Sequence, residues 1–151
     1  MELDASSLGL PEKMDHIAVV VNDRDDTTRI LSSVFGLGAW KDFEYSANKA
    51  ELMVGDPFHL KIAFTKLGHT LLEVIEPVDR NSLWAKFLAQ TGGGFHHIAY
   101  NVSNWDKVVS AVEKAGGKRL IGASYKGNRW VYLFLNGIII DAMDNFGAPY
   151  P

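Results

Sequence analysis

The chain has no cysteine among its 151 residues. That excludes disulfide frameworks, cysteine-ligated zinc or iron–sulfur centres, and any thiol nucleophile. It has little net charge, −3 at neutral pH, which excludes a strongly cationic polyphosphate binder, and no nucleic-acid partner is expected. No apolar run approaches the roughly 20 residues needed to span a bilayer, and no membrane partner is expected. The N-terminus carries two early acids, Glu2 and Asp4, and no hydrophobic core of a signal peptide. A cytoplasmic protein is therefore expected. Of the chain, 47% is hydrophobic. At roughly 100–200 residues per domain, one domain with its own core is expected.

Residues 1–12 mix serine, glycine, proline and charge without periodicity and read as a flexible arm. From Asp15 strand and helix signals alternate. Ile17–Val21 is a β-branched run closed by Asn22-Asp23, a strand followed by a helix cap. Ile30, Leu31, Val34 and Phe35 recur at helical spacing until Gly36 and Gly38. Strands are expected at Ala39–Tyr45, Leu60–Thr65 and Thr70–Glu76, whereas Ser46–Pro57 fits strand, helix or loop equally. A helix follows, capped by Asn81 or Ser82 and ended by Gly92-Gly93-Gly94. Then the opening pattern returns: strand His97–Val102, cap Asn104, a helical face of Trp105, Val108, Val109 and Val112, and strands at Lys118–Ile121, Arg129–Leu135 and Ile138–Asp144. Asn136-Gly137 is a strong hairpin signal.

Both halves run strand–helix–strand–strand–strand. Asp15-His16-Ile17-Ala18 matches His96-His97-Ile98-Ala99, and Leu71-Leu72-Glu73-Val74 matches Ile139-Ile140-Asp141-Ala142. The expectation is an α+β fold of two βαβββ modules whose strands form one curved mixed sheet around a central cavity. Residues 13–151 make a single domain, with module one at 13–80, a linker helix at 81–94 and module two at 95–151.

The repeat superposes His16 on His97 and Glu73 on Asp141. No local metal motif has their spacing, so only a duplicated fold gathers them. A lone histidine in a strand is usually an ordinary packing residue, but a glutamate amid Leu-Leu and Val-Ile needs a partner or a metal. Two imidazoles and two carboxylates suit one divalent ion with positions left for substrate oxygens. His96, next to His97, should face away and serve in packing or at an interface; His69 belongs to a hairpin turn; the parity of His59 is open. The Gly92–Gly94 run follows a helix, whereas phosphate loops precede one. Trp84, Trp105 and Trp130 read as core aromatics.

These elements resemble the vicinal oxygen chelate superfamily of glyoxalases, epimerases, extradiol dioxygenases and bleomycin- or fosfomycin-resistance proteins, most closely its methylmalonyl-CoA epimerase branch. The likeness runs from Asp15 to about Asn145. It is most specific in Leu72-Glu73-Val74-Ile75-Glu76-Pro77, Ser82–Leu88 and Gly92-Gly93-Gly94-Phe95-His96-His97-Ile98-Ala99. The resemblance implies that His16, Glu73, His97 and Asp141 hold one divalent metal (zinc, nickel, cobalt, manganese or magnesium). It also implies a small-molecule substrate that chelates the ion through two oxygens, and a homodimer. The implied chemistry is that of a lyase or isomerase in which the ion stabilises an enolate while Glu73 or Asp141 moves a proton. The alternatives are an Fe(II) dioxygenase and a non-enzymatic drug-sequestering protein. Two departures stand out. Asp141 replaces the longer glutamate usual in the epimerases, and Asp56-Pro57-Phe58-His59 stands where they carry a Glu-Gln-Gly segment.

Overall fold

The structure is a computed structural model that describes residues 14–147; the arm expected at 1–12 lies outside the described residues. Nine strands form a single mixed sheet: β1 (His16–Val20), β2 (Lys41–Ala47), β3 (Leu52–Val54), β4 (Phe58–Leu67), β5 (Thr70–Pro77), β6 (Gly94–Val102), β7 (Lys118–Tyr125), β8 (Asn128–Leu135) and β9 (Ile138–Asp144). Three helices accompany it: α1 (Arg24–Phe35), α2 (Leu83–Thr91) and α3 (Trp105–Lys114). The strand order is β2-β4-β5-β1-β6-β9-β8-β7-β3. β1 pairs with β5 in parallel, and β6 pairs with β9 in parallel. The two inner strands, β1 and β6, meet antiparallel at the centre. This is the α+β architecture expected from the repeat. No helix among the described residues is long and apolar enough to cross a membrane.

Helix boundaries follow local chemistry. Asp23 caps α1 by accepting from the Asp26 amide at 2.8 Å, and Gly36 ends it in the left-handed conformation. Of the two cap candidates for α2, Ser82 takes the role, accepting from the Ala85 amide. Asn104 precedes α3 but its side chain caps nothing; Trp105 anchors that helix instead, its indole donating to the Ala142 carbonyl at 2.8 Å. Asn136 and Gly137 both have positive φ, the backbone that a two-residue hairpin requires.

The undecided stretch Ser46–Pro57 resolves into a one-turn 3-10 helix, Lys49–Glu51, and β3. Asn48 caps that turn through a reciprocal pair with Glu51. β3 then leaves its own half and pairs with β7 at the far edge of the sheet. Because β2 and β3 are so close in sequence yet lie at opposite ends of the strand order, the sheet must curl until its ends approach. Its concave face holds the larger buried cluster, and the second cluster lies between α3 and β8–β9.

Candidate functional site

The four candidate side chains come from four adjacent central strands, and register alone makes them converge. In β1, His16 and Ala18 share the inner face, since alternate residues point the same way. Ala18 sits beside Glu73 on β5 and opposite His97 on β6. In the mirrored position, Ala99 sits beside Asp141 on β9 and opposite His16. Each histidine thus faces an alanine across the β1–β6 pair, and the methyl leaves room for the imidazole to lean towards its counterpart. Both alanines are fully buried.

The result is a compact, buried group. His16 Nε2 lies 3.3 Å from His97 Nε2 and 3.1 Å from Glu73 Oε2. His97 Nε2 is 3.4 Å from the same Glu73 oxygen, and Asp141 Oδ2 is 3.9 Å from His16 Nε2. His16, His97 and Asp141 each offer an atom within 4.8 Å of the others, a group able to hold a metal ion. All four residues are at most 6% exposed. Glu73 Oε2 and Asp141 Oδ1 are buried without a hydrogen-bond partner among the described residues, although imidazole nitrogens lie close to Glu73. Short approach without hydrogen-bond alignment is what atoms aimed at a common point produce.

The electrostatics are correspondingly strong. Burial opposes a charge on His16, but Glu73, with Asp15 and Asp141, outweighs it and raises the imidazole pKa above its ordinary value. Burial likewise opposes a charged Glu73, and the two imidazoles overcome it and hold the carboxyl below the usual range. His97 is lowered, by burial first. Asp141 is pushed well above the carboxylate range, because burial and the nearby Glu73 outweigh what His16 gives back.

His96 corrects the sequence expectation. It does not face away from His97. Between Ala18 and Val19 the β1–β6 register slips, so that His97 pairs with Ala18, Phe95 pairs with Val19, and His96 is the extra residue of a β-bulge. The bulge turns both imidazoles inward, and their Nδ1 atoms lie 2.8 Å apart. The glycines before it have a structural reason. Gly92 and Gly93 have positive φ, and a side chain on Gly93 would meet the Val20 carbonyl at 2.7 Å. His96 is 4% exposed, packs edge-on against Phe87 at 4.8 Å, and is held neutral with a pKa lowered to about 3, chiefly by burial.

His59 lies on the other face of β4 from Phe58 and Leu60. It bonds Glu44 at 2.7 Å and takes no part in the site. Trp84, Trp105 and Trp130 are buried core aromatics as expected, and Trp84 and Trp130 also line a cavity that opens on His16, Glu73 and Asp141. With Tyr132 they are the site residues that sequence reasoning missed. The available signal was the cross-strand neighbour: Tyr132 lies opposite Asp141, and Phe64 lies opposite Glu73.

Comparisons with known proteins bear on the family and the fold. Residues 15–134 match the family model described as "Glyoxalase/Bleomycin resistance protein/Dioxygenase superfamily". The mitochondrial methylmalonyl-CoA epimerase of Homo sapiens is 26% identical over 103 residues, 68% of this chain and 53% of that protein. The uncharacterized protein YqjC of Bacillus subtilis is 32% identical over 88 residues, 58% of this chain and 56% of that protein. The chain thus spans about half the length of the curated relatives it matches. Among solved structures, methylmalonyl-CoA epimerase from Mycobacterium tuberculosis superposes with a TM-score of 0.72 at 18% identity, covering 97% of this chain and 94% of that one. A Streptomyces coelicolor methylmalonyl-CoA epimerase variant in complex with 2-nitronate-propionyl-CoA superposes with a TM-score of 0.71 at 22% identity, covering 92% and 98%.

Proposed function

Because the chain belongs to the glyoxalase/bleomycin resistance protein/dioxygenase superfamily, we propose that it is a metal-dependent isomerase or lyase of the methylmalonyl-CoA epimerase or glyoxalase type. The observation that carries this reading is the convergence of His16, Glu73, His97 and Asp141, whose carboxylates keep buried oxygens without hydrogen-bond partners among the described residues. Two nitrogens in neighbouring positions on one ion, at roughly 2.0–2.1 Å each, would be about 3 Å apart. The imidazole nitrogens are 3.3 Å apart. The duplication is part of the proposal, with modules at 13–80 and 95–151 joined by the helix of 81–94.

His16, Glu73, His97 and Asp141 would hold the ion, which, when bound, supplies Lewis-acid stabilisation of enolate charge on a substrate that chelates it through two oxygens. The chain's own residues do the rest. Glu73 and Asp141 enter from opposite halves of the sheet, so each is placed to take a proton from one side of a bound carbon acid and return it. The curled sheet and the aromatic wall shield the four side chains from bulk water, which strengthens each of these charge interactions. His96 orients His97: if His97 donates from Nδ1 to His96 Nδ1, its Nε2 lone pair is left facing the other three residues. His96→Phe, which keeps the ring and removes the acceptor, should weaken zinc binding about 10–100-fold by calorimetry.

The grouping of His16, His97 and Asp141 favours one second reading, since two histidines and one carboxylate are the ligand set of non-haem Fe(II) oxygenases. One experiment separates the two. Protein purified without chelator is analysed for metal, then supplied with 2-methyl-branched acyl-CoAs and 2-oxo hemithioacetals in deuterated water. Exchange at the α-carbon supports the isomerase or lyase. Oxygen uptake with catechols and Fe(II), without exchange, supports the oxygenase. Neither, with tight ligand binding, leaves a sequestering protein.

A homodimer is proposed with it. α1 buries none of its residues and exposes Ile30, Val34 and Phe35, the last at 71%. Light scattering at micromolar concentration should give twice the chain mass; the mass of one chain would refute it.

A further inference from the structure

The cavity beside the four polar residues is divided sharply into two kinds of surface. Its imidazole and carboxylate side chains are those of His16, Glu73 and Asp141. Every other lining residue among the described residues is aromatic, aliphatic or methionine, with no lysine, arginine, amide or small hydroxyl side chain among them. About 520 Å³ of space, the part open to solvent included, is not filled by protein atoms.

The apolar part is a wall of rings fixed by strand register. Tyr132 stands across from Asp141, Trp130 across from Met143, and Phe64 across from Glu73, so rings flank both carboxylates. Trp130 and Tyr132 lie 5.2 Å apart, Phe58 and Trp84 5.0 Å, and Trp84 and Tyr132 5.4 Å, all tilted or edge-on. Those are the arrangements aromatic quadrupoles favour. The polar tips of two wall residues are already engaged. Trp130 Nε1 donates to the Tyr45 hydroxyl at 3.0 Å, and that hydroxyl donates to the Ser124 carbonyl at 3.3 Å. These two side chains therefore present ring surface to a ligand rather than hydrogen bonds.

A ligand complementary to this cavity has two matching parts. We propose that the substrate carries an aromatic ring beside its two chelating oxygens, the oxygens at the His16–Glu73–Asp141 corner and the ring against Phe58, Trp130 and Tyr132. The proposal rests on the metal-site reading above and names its substrate class. A methyl branch would touch few of these rings, whereas a phenyl ring continues their packing. The additional apolar area buried by a phenyl over a methyl group, together with ring–ring contacts, corresponds to at least about a tenfold gain in affinity.

The test uses phenylmalonate and methylmalonate, which share two carboxylates able to chelate and differ only in the substituent. Zinc uptake by the whole protein is measured first by calorimetry. Both diacids are then titrated into the zinc-loaded and the zinc-free protein, following tryptophan fluorescence and heat. Phenylmalonate should bind the loaded protein at least about tenfold more tightly. Trp130→Leu should reduce that preference to within about threefold by removing one ring contact, while zinc affinity stays unchanged. The unsubstituted comparison stands alone if that variant does not fold. Equal affinity, tighter methylmalonate, or no phenylmalonate binding at millimolar concentration overturns the proposal while leaving zinc uptake to judge the metal reading. Absent zinc uptake with a retained preference for phenylmalonate would refute the metal site and keep the ring seat.

Discussion

Replacing His97 with alanine should weaken zinc binding by more than about 100-fold and abolish α-proton exchange, with His16→Ala giving the same result. Loss of an outer hydrogen-bond partner already costs a metal site about 10–100-fold, and these imidazoles are proposed as ligands. His97 is fully buried, so alanine also leaves a cavity. His97→Gln, which fills more of that space, separates the two effects: retained thermal stability with lost zinc affinity locates the defect in the site. The pH dependence has a definite sign. Glu73, Asp15 and Asp141 raise the His16 pKa, which favours the protonated ring in the ion-free protein at neutral pH. An ion must displace that proton, so affinity rises with pH and falls on acidification. Calorimetry in buffers of different ionisation enthalpy should register about one to two protons released per ion, from His16 and from Asp141, whose carboxyl is also raised. Affinity independent of pH would remove His16 from the ligand set.

The convergence of these residues was legible because it depends on parity and duplication, and both are written locally. His16 and Ala18 fall on one face of any strand, and the same pair recurs at His97 and Ala99; matching the halves then aligns Glu73 with Asp141. What could not be read depends on pairings distant in sequence. The bulge at His96 exists because β6 must pair with β1 while Gly93 passes against the Val20 carbonyl, and nothing in the spacing of His96 and His97 announces it. β3 is three residues whose partner, β7, belongs to the other half, so no periodicity marks it. Trp84 and Trp130 have the composition of core residues and are indeed buried. Only the curl of the sheet, which leaves space between its opposed strands, makes them a cavity wall. Element ends moved for a related reason: β4 begins at Phe58 rather than Leu60 because β2 extends to Ala47 to pair with it.

Glu73→Gln should retain most of the zinc and lose interconversion of the two enantiomers by about 10²–10⁴-fold, the usual contribution of a positioned acid or base. Gln preserves the shape of the side chain, and its amide oxygen can occupy the place of Glu73 Oε2, 3.1 Å from His16 Nε2 and 3.4 Å from His97 Nε2. What it cannot do is carry a proton away from carbon. Asp141→Asn provides the counterpart from the other half of the sheet. Two bases on opposite sides of a bound carbon acid give a distinctive result: either variant alone still exchanges the proton on its intact side, yet neither interconverts the two enantiomers. A single base gives another, in which one variant loses exchange altogether and the other changes only zinc affinity. Asp141→Glu restores the longer side chain usual in the epimerases, and the cavity offers room beside Asp141 for one more methylene. It should bind zinc within about tenfold of the unaltered protein, given the modest cost of a small added group where space exists. If Glu73→Gln keeps both zinc and full interconversion of the enantiomers, Glu73 is a ligand or neighbour only, and Asp141 alone remains as the base.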